Sequence, residues 1–149
     1  MNRASLRHIH AIASFTGFAF IAAFWASSVF TEWFLSQQAV AILKQSIVNA
    51  FIIFIPAMMI AGISGNLLAG RSQNPRLAAK RRRMPKIALN GLFILLPCAF
   101  YLNHLAQAGQ FGGTFYAVQI LELLAGAVNL GLMGLNIRDA FALRRPKFS

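Results

Sequence analysis

The sequence predicts an all-α integral membrane protein, a four-helix bundle with N- and C-termini both cytoplasmic. Three observations carry that prediction. Hydrophobic residues make up 58% of the 149 positions and charged ones only 11%, far from the composition of a soluble domain. Four predominantly apolar stretches, 11–34, 41–68, 87–106 and 115–137, each reach the length of about 20 residues that a bilayer core demands. Of the 14 Lys and Arg residues, all but Lys44 lie before the first stretch, between the second and third, or after the fourth. That is the positive-inside pattern. The four spans leave no length for a soluble domain, so residues 1–149 read as one transmembrane unit.

The first span follows Arg3 and Arg7. A basic start before an apolar run is also how an export signal begins, but the run continues to Phe34, longer than a signal core, and reads as a retained helix. Its inward face is His10, Ser14, Gly17, Ile21, Phe24 and Ser28. A short loop at 35–38 makes the second span its antiparallel neighbour. There the polar spacing selects Gln45, Asn49, Ile52, Pro56, Met59, Ile63 and Asn66 as the inward face, with Ala57, Ala61, Gly65 and Ala69 forming a second face of small residues for close helix approach. The basic connection 70–86 holds a short interfacial helix at 77–84, bounded by Pro75 and Pro85.

The third span presents Asn90, Ile94, Pro97, Tyr101 and His104, and Pro56 and Pro97 are each expected to kink their helix. A glycine-rich turn at 107–114 leads into the fourth span. Here Gln119, Glu122, Gly126, Asn129, Met133 and Asn136 recur at three- and four-residue steps and share one face. Hydrocarbon cannot hydrogen-bond such a stripe, so it points inward.

The net charge of +11 raises nucleic acid as a partner, but its confinement to one membrane face makes anionic lipid the partner and excludes nucleic acid. Arg81, Arg82 and Arg83 are the headgroup contacts this reading selects. The single Cys98 excludes an intrachain disulfide and a multi-cysteine metal site; no metal site is expected. No phosphate loop, nucleophile elbow or zinc motif is present, so nothing in the sequence decides whether the protein is an enzyme.

Within the bundle, Glu122 is the sharpest residue. A carboxylate about 10 Å inside Phe115 must be neutral, paired or hydrated. It reads either as a proton or cation site, with His104 or Lys44 as partner, or as a neutral group bonded to Gln119 or to another helix as packing glue. The candidate ligand or proton site is Glu122, Gln119, Asn129, His104, Tyr101 and Asn49. Glu32 and Lys44 read as an exposed pair at the membrane edge, and Asn66, Asn90, Asn129 and Asn136 as interhelical hydrogen-bond glue. Haem is the cofactor the histidines suggest. His10 and His104 fall at opposite faces, so one iron would take His10 with Met133, or His104 alone; the alternative is that these histidines lie among headgroups.

The segment Leu6-Arg7-His8-Ile9-His10-Ala11-Ile12-Ala13, leading into an aromatic helix, resembles the opening of small membrane proteins of four or five helices. These include the HemJ-type protoporphyrinogen oxidases and the CopD-type copper-resistance proteins. The resemblance implies haem binding at His10. The segments Lys80-Arg81-Arg82-Arg83-Met84 with Asn90-Gly91, and Leu135-Asn136-Ile137-Arg138-Asp139, look more like a bacterial membrane family with no assigned activity. Three functions follow as expectations for a multi-pass protein of the bacterial inner membrane. The first is a bundle binding a hydrophobic or redox ligand, haem or porphyrin among them. The second is a proton-coupled transporter using Glu122 in a homo-oligomer, and the third an accessory subunit of a larger membrane complex.

Overall fold

The computed structural model describes residues 2–70 and 73–144. Of the basic collar, Arg71, Arg145 and Lys147 lie outside the described residues. The chain forms α1 (Arg3–Phe34), α2 (Gln37–Ala69), α3 (Pro75–Asn90), a π-helical turn (Gly91–Leu95), α4 (Leu96–Gln107) and α5 (Gly113–Arg144). The third span is one continuous rod made of α3, the π turn and α4. Each of the four rods is long and apolar enough to cross a bilayer, so the chain is a multi-pass membrane protein.

Helix ends follow local chemistry. Asn2 and Ser36 cap α1 and α2 by accepting from the amides of Ala4 and Ala39, both at 3.3 Å. Asn74 caps α3 with Pro75 in its first turn, where a missing N–H costs nothing. At the end of α4, Gly109 adopts φ +68°. Its N–H reaches Ala106 O at 3.1 Å and that of Gln110 reaches Leu105 O at 2.9 Å, the paired closure that favours glycine there.

Neighbouring rods pack in a closed ring: α1 on α2, α2 on the third span, the third span on α5, and α5 back on α1. The pairs α1 with the third span, and α2 with α5, are therefore diagonal. Phe20, Phe24, Phe51, Phe54 and Phe100 interlock across the middle at ring-centroid distances of 5.5–6.1 Å. Val40, Leu102, Leu105, Ala106 and Phe115 close the end carrying the two short turns.

Two predicted faces need correction. On α2 the packed positions are Val40, Lys44, Ile47, Phe51, Ala61, Ser64, Gly65 and Ala69, so the small-residue face is the inward one. Asn49, Ile52, Pro56, Met59, Ile63 and Asn66 point outward. Asn49 and Gln45 satisfy their amides along the outer groove between α2 and α4. Gln45 donates to Asn49 at 2.9 Å and accepts from Asn103 at 3.1 Å, and Gln107 donates to Asn103 at 3.1 Å.

On the third span Asn90 faces inward as expected, but Pro97, Tyr101 and His104 are exposed and Cys98, Leu102 and Leu105 are buried instead. The offset is one residue, and the π turn is its cause. Pro97 has no N–H, and the ladder before it widens, with Leu96 N–H bonding to Gly91 O. A π turn acts as a one-residue insertion and rotates everything beyond it by about 100°. Pro85 likewise does not end a separate interfacial helix, because α3 runs through it into the span.

Candidate functional site

Polar groups gather at two places in the bundle interior, one towards each end. At the end that carries both termini, the small face of α2 lets α1 approach closely. A Cβ on Gly65 would lie 2.9 Å from His10 Cε1 and 2.8 Å from Met84 Cε, so glycine is what makes room for the imidazole. His10 Nδ1 lies 3.1 Å from both Ala61 O and Ser64 Oγ, and Nε2 lies 2.9 Å from Lys80 Nζ. An ammonium only donates, so Nε2 is the acceptor and Nδ1 carries the hydrogen that Ala61 O accepts. The ring is thus a neutral tautomer bonded at both nitrogens. Lys80 reaches it from α3, across a diagonal of the ring.

Beside this group lies a cavity of about 530 Å³. Its body is apolar, lined by Phe15, Phe18, Met58, Met84, Ile87, Met133 and Phe141 from all four rods. Its polar lining is Arg7, His10, Ser14, Lys80 and Asn136, with no acidic residue. The nearby acid, Asp139, is buried and taken up by Arg83 at 2.6 Å, while Asn136 accepts from the same guanidinium at 3.3 Å. This clamp fastens α3 to α5. Arg83 is therefore an internal tie, where the sequence placed a headgroup contact; Arg82 is exposed, and Arg81 donates to Gly70 O at 2.8 Å.

At the short-turn end, Lys44 is 1% exposed and crosses the other diagonal to Glu122 Oε2 at 2.7 Å. Gln119 Nε2 donates to the same oxygen at 3.1 Å. This overturns the reading of Lys44 as the exposed partner of Glu32. A long side chain rooted near a helix end reaches the interior, and depth along the sequence does not reveal which way it turns. A small cavity of about 60 Å³ lies below Glu122, lined by Trp25, Ser28, Phe51 and Gly126 among others. Trp25 closes it by donating to Leu123 O at 2.9 Å.

Between the two groups, Asn90 donates to Asn129 Oδ1 and to Ala125 O, each at 2.8 Å. Asn129 is 1% exposed and donates to Ile87 O at 3.4 Å, so this pair is the interhelical glue expected of it. The six residues selected from the sequence are thus not one site. Glu122 and Gln119 are together with Lys44, Asn129 belongs to a separate tie, and His104, Tyr101 and Asn49 face outward.

His10 and Met133, the pair named for haem, do line one cavity. The imidazole, however, has Lys80 on Nε2 and Ala61 O on Nδ1, so neither nitrogen is free for iron. His104 is at the far end of the bundle and exposed. The donor set as it stands does not fit an axial haem ligand. The sequence pointed to His10 and Met133 and put Gly65 on a close-packing face, but missed Lys80 and Ser64 as partners of His10, which join it only once α2 and α3 are packed against α1. Among the described residues no group of three or more His, Cys, Asp or Glu is placed to hold a metal ion. No family model, curated protein or solved structure matches the chain significantly.

Proposed function

We propose that the protein binds an amphipathic anion, an apolar body bearing a carboxylate or phosphate, in the cavity among its four rods. The observation that carries this reading is the cavity's polarity: an apolar space of about 530 Å³, open at one side where Phe15 and Phe141 are exposed, whose charged lining residues, Arg7 and Lys80, are both cationic. An anionic group gains charge-assisted hydrogen bonds there, while the rest of the ligand replaces lipid or water against Phe15, Phe18, Met58 and Met133. The positive-inside pattern orients this opening towards the cytoplasm of a bacterial cell, in the inner membrane. Porphyrins, which carry carboxylates on an apolar ring, belong to the class; iron ligation by His10 is no part of the proposal. A Soret band in the purified protein that disappears in His10→Ala would contradict that exclusion.

Titration of delipidated protein with oleate and, separately, with phosphatidic acid tests the proposal and distinguishes carboxylate from phosphate. Lys80→Met should weaken binding about tenfold, the scale of one hydrogen bond to a charged group. Gly62 lines the cavity, and a Cβ there meets nothing within 4 Å. Gly62→Leu should therefore fill the space and abolish binding while the protein stays folded. Equal affinity in wild type and Gly62→Leu would rule the cavity out.

A further inference from the structure

The Lys44 cluster has no role in that reading, and its charges do not balance. Lys44 comes from α2 and Glu122 from α5. Glu32, from α1, lies within electrostatic reach of both, as does the buried Cys98 thiol from α4. Every rod thus brings one titratable group to this end of the bundle, and two carboxylates lie within electrostatic reach of a single ammonium, which is bonded to Glu122 alone. The hydroxyls of Ser28 and Thr31 do not redress this. Thr31 is turned back on its own helix carbonyls, and Ser28 is a neutral hydroxyl. With both carboxylates ionised the cluster holds one net negative charge inside the bundle, an expensive arrangement in hydrocarbon.

Hydrogen bonding gives an independent indication of what is missing. Among the described residues, two buried side-chain atoms have no partner, Glu32 Oε1 and Gln119 Oε1. Gln119 is 3% exposed and has committed its amide nitrogen to Glu122, so its oxygen is left without a donor. A buried acceptor left unsatisfied carries the full cost of its lost hydration. The cluster lacks one positive charge and at least one donor, and a proton on a carboxylate supplies both.

We propose that the Glu32–Lys44–Glu122 cluster is a binding site for one exchangeable proton, carried on Glu32 beside the Lys44–Glu122 pair. A proton taken from water forms an O–H bond on a carboxyl oxygen, leaves the cluster neutral, and returns to water on release. Lys44 donates to Glu122 Oε2 and fixes that carboxylate. Glu32 is half-buried, two residues from the end of α1, and by its position on the chain is the nearer to solvent of the two carboxylates. This site is separate from the anion cavity, so failure of either proposal leaves the other standing.

Infrared difference spectroscopy across a pH jump, on the full chain in lipid nanodiscs, tests the site. Glu32, Glu122 and Asp139 are the only acidic side chains, which makes assignment direct. The wild type should show a protonated-carboxyl band whose intensity follows pH and survives Asp139→Asn. Glu32→Gln should abolish that band, Glu122→Gln should shift or abolish it, and Glu32→Asp should retain it. Absence of a pH-dependent carboxyl band in the wild type, or its persistence in Glu32→Gln, would overturn the proposal. So would a spectrum that responds to sodium at fixed pH and not to pH, which would mark a metal-cation site instead.

Discussion

Replacing Lys44 by Met removes an ammonium while keeping the side-chain length, and leaves Glu122 with Gln119 as its remaining hydrogen-bond partner among the described residues. Breaking a buried pair from one side costs about 3–5 kcal/mol, because the remaining charge stays buried without compensation. Lys44→Met should therefore lower stability in detergent by that amount. Adding Glu122→Met should restore most of it, to within about 1–2 kcal/mol of wild type. Thermal unfolding of the two variants checks this; equal losses in the single and double variants would show that the pair is not what holds α2 to α5. At this scale the sequence was partly legible. Glu122 stood out because a carboxylate deep in an apolar helix has few options, and Lys44 was one of two partners named for it. Lys80 was hidden, because it opens a basic run whose next three residues, Arg81, Arg82 and Arg83, read as headgroup contacts. Only the packed bundle shows which of them turns inward to His10.

Whole helices divide into those whose inward face follows a constant period and those where the period is interrupted or misread. On α1, Gly17, Ile21 and Ser28 are buried as expected, and on α5 so are Gln119, Gly126, Asn129 and Met133. Polarity misled on α2, because amides can satisfy one another along an outer groove, whereas close packing requires small residues wherever two backbones meet. The third span was misread beyond Asn90 because a fixed spacing cannot register the extra residue of a π turn. This makes a sharp prediction. Deleting Leu92, an exposed residue of the π turn, together with Pro97→Ala should convert the turn to regular α-helix and leave both packed faces in register. Cys98 should then stay as slow to react with a thiol reagent as in the wild type, where it is 7% exposed. Inserting one alanine after Leu92 should instead rotate Cys98 outward and speed its labelling. Rapid labelling of the deletion variant would show that the π turn has another origin.

Across the molecule, the two diagonals of the ring are each bridged by one lysine, Lys44 to Glu122 near the short turns and Lys80 to His10 near the termini. The aromatic layer of Phe20, Phe24, Phe51 and Phe54 separates them. This arrangement gives the bundle two polar compartments with opposite character. One has more carboxylates than ammonium groups and suits a proton. The other is cationic, larger and apolar in its body, and suits an anionic amphiphile. The four-span architecture was fully legible from composition and span length, because the bilayer fixes how long an apolar helix must be. The cavity was not, since its walls come from all four rods and its volume depends on residues that leave space, such as Gly62 and Ala88. Native mass spectrometry of the protein extracted directly from its own membrane is the most direct test of the anion cavity. The expected result is an anionic amphiphile retained by the wild type at one per chain and absent from Gly62→Leu. Wild type and Gly62→Leu carrying the same adducts, or the wild type retaining only neutral or cationic species, would contradict it.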